Sequence, residues 1–252
     1  MEAQNALEAT LAKAAEDPAS RPAFYRMLLD SKVFVIGNSD LPASEGGVVD
    51  SVTVPSGAML SIVNWQKADG TPVVPFFASL ASLQRALDEE ARYMELPAKS
   101  LFELTLGEWL VMNPASPCWK EFSPTEIKAL LETGMNHTAN SRTVEKETQV
   151  LLGQPRHYPA EMVSALTKLL EMHPVIVAAY LCLMHDQSAN EQPSLVVGFV
   201  SDGDPTEALR EAGSVAADTA PRGQAVEFVL IKPEEQGISQ YMLDEVRPFY
   251  QR

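Results

Sequence analysis

The feature that most constrains the fold is the succession of apolar and amphipathic segments in the second half of the chain. Val175–Met184 and Leu195–Val200 are apolar runs on either side of the polar stretch Asp186–Gln192, and they read as two strands joined by a loop. Pro159–Met172 places Met162, Leu166, Leu169 and Leu170 on one helical face. Pro205–Ala216 reads as a second helix, with Asp202 and Asp204 near its start. Glu147–Leu152 and Val226–Ile231 supply two further strands. The order is β-α-β-β-α-β, the order of a ferredoxin-like sandwich with two helices on one face of an antiparallel sheet.

The first half reads as α+β as well. Residues 3–16 form a helix by their Ala, Leu and Glu content, with Leu7 and Leu11 at i, i+4. Ser20 opens a second helix with Pro22 in its first turn, and Lys32–Ile36 is a short strand before the loop 37–47. Asp69-Gly70 between apolar runs signals a hairpin with a type I′ turn. Pro72 and Pro75 lack amide donors, so the second strand belongs at a sheet edge or holds its prolines at non-bonded positions. Ser79 or Ser82 caps a helix expected to run through Leu83, Leu87 and Tyr93. A short strand over 94–97, helical turns over Ser100–Leu106 and the strand Trp109–Met112 follow. Ser123 and Glu126 have the spacing of a capping box at the head of a helix that Gly134 ends.

Residues 135–146 are polar and lack a hydrophobic period, which marks a boundary between domains over 1–140 and 141–252. A chain of 252 residues is long enough for two cores. The tail from Ile238 ends in Pro248-Phe249-Tyr250, whose aromatic rings are expected to dock rather than hang free.

Net charge is −15, with −7 in residues 1–146 and −8 in residues 147–252. An evenly acidic surface repels a phosphate backbone, and the Lys and Arg residues form no basic patch, so nucleic acid is not an expected partner. The apolar run Pro174–Met184 is well short of the roughly 20 residues that cross a bilayer, so no membrane partner is expected. The N-terminus lacks the pattern of a signal peptide, and two cysteines make no disulfide framework. These features point to a cytoplasmic protein with both thiols reduced.

Candidate chemistry is sparse. Cys118 lies in the loop between Trp109–Met112 and the Ser123 helix, where a helix N-terminus could activate a thiol, yet no Cys-His motif accompanies it. His137, His157, His173 and His185 share no ligand spacing, and His157 in Gln-Pro-Arg-His-Tyr-Pro is a candidate for a ligand site. No serine elbow or phosphate loop is present. Counted from Asp202 as the first position of a calcium loop, position 6 is Glu207 and position 12 is Gly213, so helix capping is the better reading of Asp202 and Asp204. No cofactor or metal is expected.

The segments FYRMLLDSKVFV, VVPFFAS, GEWLVMNP and SPTEI in the first half, and VLLGQP, AAYLCLM, LVVGFVSDGD and the terminal PFY in the second, resemble the enhanced-serine-sensitivity (SseB) family in wording and order over nearly the whole chain. The resemblance implies an N-terminal and a C-terminal SseB domain and a link to serine sensitivity; it carries no catalytic residues. The expected activity is therefore non-enzymatic: a regulatory or binding protein acting through protein contacts, or alternatively an amino-acid or metabolite sensor that binds a small ligand between the domains. Asn113, Trp119, Arg156, His157, Phe249 and Tyr250 are the candidate contact residues, the first four of them expected to line a crevice between the domains.

Overall fold

The computed structural model describes residues 5–39, 60–137, 150–186 and 192–252. The polar stretch 138–146, most of the loop 37–47 and most of the loop after Asp186 lie outside them. The chain forms two compact units, Met1–Glu16 with Ala23–Asn136 and Asp17–Pro22 with His137–Arg252.

In the first unit, α1 (Ala6–Glu16) buries Leu7, Leu11 and Ala14, an i, i+4, i+7 stripe. After a 3₁₀ turn at Pro18–Ser20, α2 (Arg21–Leu29) buries Phe24, Tyr25 and Leu28. Strand β1 (Lys32–Ser39) runs three residues past the expected end, because Gly37–Ser39 pairs with β2 (Leu60–Ile62). Glycine is required at that crossing: a Cβ on Gly37 would stand 2.0 Å from the Ser61 carbonyl oxygen.

The hairpin joins β3 (Trp65–Gln66) to β4 (Pro72–Phe77). Its turn is not type I′. Gly70 has φ 83° and Asp69 is not in the left-handed region; the Gly70 amide donates to Lys67 O and the Lys67 amide to Thr71 O, both at 2.9 Å. This is a three-residue loop, a turn closed by a left-handed glycine. The Asp69 carboxylate accepts from the Thr71 amide at 2.9 Å, a bond that lowers its pKa and holds the loop. β4 lies inside the sheet, not at an edge. Pro72 and Val73 face β3, Phe76 and Phe77 face β1, and Pro75 falls in the gap between these stretches.

Helix α3 (Leu80–Arg85) is capped by Ser79, with Ser82 closing a full capping box. It stops at Arg85, and Tyr93 opens β5 (Tyr93–Pro97) instead of extending the helix. The intervening Asp88-Glu89-Glu90 has no apolar residue to continue the buried stripe, whereas β5 finds a five-residue pairing along β1. Helix α4 (Ala98–Leu104), β6 (Trp109–Met112), β7 (Lys120–Phe122) and α5 (Pro124–Thr133) complete the unit. The sheet order is β2-β1-β4-β6-β7, with β3 also on β4 and β5 also on β1; β4 and β6 are parallel. One face packs under α1, α2, α4 and α5, where Phe76, Phe102 and Phe122 lie within 5.9 Å of one another. On the other face Leu83 of α3 packs with Ile36 and Phe77.

The second unit follows the expected element order: β8 (Val150–Gly153), α6 (Ala160–Leu170), β9 (Ile176–Asp186), β10 (Ser194–Ser201), α7 (Thr206–Thr219) and β11 (Val226–Leu230). The strand order is not ferredoxin-like. A ferredoxin-like sheet is a split βαβ, with a strand inserted between the two that a helix connects. Here α7 connects β10 to β11 as immediate parallel neighbours, and β8, β9 and β10 are antiparallel in chain order. The long β9 explains this. Its eleven residues pair with β10 along one edge and offer the other edge to β8 and to β12 (Tyr250–Gln251).

Helices α6 and α7 cover one sheet face through Leu166, Leu169, Leu170, Ala212 and Val215. On the other face lies α8 (Ile238–Glu245), whose Met242 packs with Cys182, Val196 and Ile231. This unit also takes in Asp17–Pro22. Ala19 is buried in its core, Arg21 pairs with Asp218 at 2.7 Å, and Asp17 with Lys168 at 3.4 Å.

Candidate functional site

The loop from Gly107 to Pro124 is built around Asn113. This residue follows β6 with φ 52°, a left-handed backbone that asparagine tolerates better than most side chains. Its amide donates to Phe76 O, its side-chain oxygen accepts from the Ala78 amide, and its carbonyl accepts from Ser116, each at 2.9 Å. It is 2% exposed, so its side chain ties the end of β6 to the end of β4. Ser116 is held from outside by Arg85 at 2.8 Å.

Beyond it, Cys118 packs partly against the core, and burial, then Glu16 and Glu8, raises its thiol pKa above the usual value. That shift disfavours the thiolate at neutral pH. Cys182 is fully buried and pushed up to about 11 by burial. Trp119 turns outward and is 56% exposed. Ser123 caps α5 by accepting from the Glu126 amide at 3.2 Å. The Glu126 carboxylate does not complete the expected box; it pairs with Lys120 at 2.9 Å and accepts from the Tyr25 hydroxyl at 3.3 Å. Lys120 in turn lies 4.8 Å from the Phe122 ring centroid. Lys67 sits 3.9 Å over Trp109 and 2.9 Å from Glu121.

In the second unit, Arg156 and His157 are exposed in the connection from β8 to α6. Tyr158 beside them is 55% exposed, and Leu151 on β8 is 57% exposed. Phe249 and Tyr250 dock within this unit. The Phe249 amide donates to Ala179 O at 2.8 Å, and the Tyr250 hydroxyl donates to Leu170 O at 3.1 Å. Arg252 ends the chain on Asp202 at 2.6 Å and on the Pro174 carbonyl. Asp204 does not cap α7 (Thr206–Thr219) as expected: the N-cap position is Pro205, without a side-chain cap bond, and Asp204 closes a local turn ahead of it, accepting from the Thr206 hydroxyl and amide at 2.6 and 3.0 Å. His173, in the turn after α6, lies 2.9 Å from the buried Glu211 of α7.

Thus Asn113 and Trp119 belong to the first unit, and Arg156, His157, Phe249 and Tyr250 to the second. Of the six, Trp119, Arg156 and His157 stand open to solvent. Sequence reasoning missed Tyr158 and Leu151, although Tyr158 is the next residue of the same Gln-Pro-Arg-His-Tyr-Pro stretch. It also missed an open surface pocket of about 720 Å³ in the first unit, lined by Leu7, Ala23, Arg26, Met27, Asp30 and Lys32 among others. Among the described residues, no group of three or more His, Cys, Asp and Glu side chains is placed to hold a metal ion, and no helix is long and apolar enough to cross a membrane.

Two family models match the chain: the SseB protein N-terminal domain over residues 7–129 and the SseB protein C-terminal domain over residues 144–252. The chain belongs to the SseB family. It is 38% identical over 251 residues to Protein SseB of Escherichia coli (strain K12), covering 100% of this chain and 93% of that protein. Protein SseB of Shigella flexneri matches with the same identity and coverage. No solved structure matches. The two SseB matches meet in the interval that contains the break between the units at Asn136 and His137.

Proposed function

We propose that this SseB-family protein is a non-enzymatic, cytoplasmic regulatory protein, linked to serine sensitivity, that works by binding another protein. The observation that carries this reading is the exposure of large anchor-type side chains: Trp119 on the first unit, and on the second Tyr158, next in sequence to Arg156 and His157, and Leu151 on β8. Trp, Tyr and Arg dominate binding energy at protein interfaces. The raised thiol of Cys118 supports the same reading, since it weakens the one nucleophile that the loop offered. A photo-activated cross-linking residue placed at 119 or at 158 tests it. A discrete adduct that unlabelled protein competes away, and that Trp119→Ala or Tyr158→Ala protein does not, is the expected result. Competition by both variants as effective as by the unsubstituted chain rejects these anchors.

The open pocket of the first unit favours a second reading, an amino-acid sensor. Arg26, Lys32 and Asp30 bring both signs of charge to a lining that also holds Leu7, Ala23 and Met27, with Lys32 3.6 Å from Glu95, and such a lining suits a small zwitterion. A ligand at 100 times its dissociation constant adds about 2.7 kcal/mol of stability. On this reading serine or another amino acid raises the melting temperature by a few degrees, and Asp30→Asn removes the shift; an unmoved melting temperature across all amino acids rejects it.

A further inference from the structure

Strand β11 is an edge of the second unit's sheet; among the described residues it pairs with β10 and with no other strand. The Leu195 amide donates to Ala225 O at 2.9 Å, and the Ile231 amide donates to Phe199 O at 2.8 Å. In a parallel ladder alternate residues carry the bonds to one neighbour. Ala225, Glu227, Val229 and Ile231 therefore face β10, while Val226, Phe228 and Leu230 turn their amides and carbonyls outward. Natural sheets blunt such edges with charged side chains, lysine above all, with proline, a bulge, a covering element or extreme shortness. β12 has two residues, but β11 runs five, VEFVL, in unbroken register and without lysine or proline; its one charge, Glu227, is engaged within the sheet, accepting from the Ser194 hydroxyl at 2.6 Å. Lys232 and Pro233 come only after it ends.

We propose that β11 pairs antiparallel with β11 of a second copy of this chain, about a two-fold axis at Phe228. That register sets Val226 opposite Leu230 and Phe228 opposite its own copy, so each outward-facing residue meets an outward-facing one and can exchange both hydrogen bonds. A shift by one residue sets outward-facing groups against residues already bonded to β10, and a shift by two loses a pair. The charges fit the same register. Glu227 stands opposite Val229, and no acid faces its own copy despite a net charge of −15. Phe228 is held for the contact by stacking on Phe199, with ring centroids 5.9 Å apart and planes within 1°. This inference is independent of whether Trp119 and Tyr158 bind a different protein.

Sedimentation of the full chain from low to high micromolar concentration tests it. The expected species has twice the 27.5 kDa chain mass. Leu230→Lys, at a position 40% exposed, and Val226→Pro, whose amide points away from β10, should each return it to a single chain with unchanged circular dichroism. Should the proline variant misfold, the lysine variant still decides. The register has its own test. In a Cys118→Ser background, Val226→Cys with Leu230→Cys should oxidise to a covalent dimer, since residues in a hydrogen-bonded pair lie about 5.5 Å apart between Cα atoms, within disulfide range. The two positions are about 13 Å apart along one strand and cannot join within a chain. A single-chain mass at every concentration, a dimer that survives Leu230→Lys, or open-ended assemblies in place of a dimer would each overturn the proposal.

Discussion

Asn113 shows how a residue that looks like a site can be a fastener. Two independent demands meet there, a left-handed backbone and an acceptor for the buried Ala78 amide. Glycine satisfies the first and alanine neither. Asn113→Gly should therefore cost about 1–3 kcal/mol, the penalty for an orphaned buried donor, and Asn113→Ala about 1 kcal/mol more. Urea unfolding of both variants checks the order; equal losses would mean that the backbone conformation costs nothing. Cys118 yields a kinetic prediction. Its thiol titrates above the usual value, so the thiolate fraction at pH 7 is smaller than that of a free cysteine. Alkylation at pH 7 should be slower than for an unhindered peptide thiol and should rise as pH passes above the ordinary thiol range. Cys182, pushed up to about 11 and fully buried, should react only on unfolding. Faster labelling of Cys118 than of the peptide at pH 7 would restore it as a nucleophile.

At the scale of elements, local chemistry was legible where a short signal acts alone. The Ser79 and Ser123 caps, the left-handed Gly134 and the strand Trp109–Met112 stand where their residue types put them. Failures came where a distant partner decides. Tyr93 belongs to a strand because β1 is there to receive it, and the split βαβ was lost because β9 is long enough to carry two partners on one edge. The candidate residues divide in the same way. Local sequence marked Trp119, Arg156 and His157 as loop residues, which they are, but gave no signal that Asn113 is buried under a bond from 35 positions away. Gly198 is a further case, since it lies in an apolar strand and its need for no side chain comes from α8. A Cβ there would stand 2.3 Å from Met242 Sδ and 2.8 Å from Ile231 Cδ1. Gly198→Val should destabilise the protein by about 1–3 kcal/mol through overpacking. Combined with Met242→Ala, which empties the obstructing volume, the loss should be less than the sum of the single losses; strict additivity would show that the two positions do not compete for space.

At the scale of the whole molecule, chain order and structural unit part company at Asp17–Pro22. The polar stretch over 135–146 invites a cut near 140; the family matches end at residue 129 and resume at residue 144. Yet the second unit's core holds Ala19 at 1% exposure among Met162, Leu166 and Leu170, and its surface pairs Arg21 with Asp218 and Asp17 with Lys168. A fragment beginning at residue 141 lacks all of these. Loss of a buried alanine opens a void in a close-packed core, while the exposed ion pairs contribute at most about 1 kcal/mol each. The void should therefore be the larger loss, and it should concentrate near α6 and α7, which supply most of that core. The fragment should fold, because β8 to β12 and α8 are all present, but melt well below the same segment in the full chain. A peptide spanning residues 15–23 should raise its melting temperature, and the same peptide with Ala19→Asp should not, because a carboxylate cannot enter the apolar site uncompensated. Equal rescue by both peptides would assign the effect to the ion pairs and leave the buried alanine without the role that its packing implies.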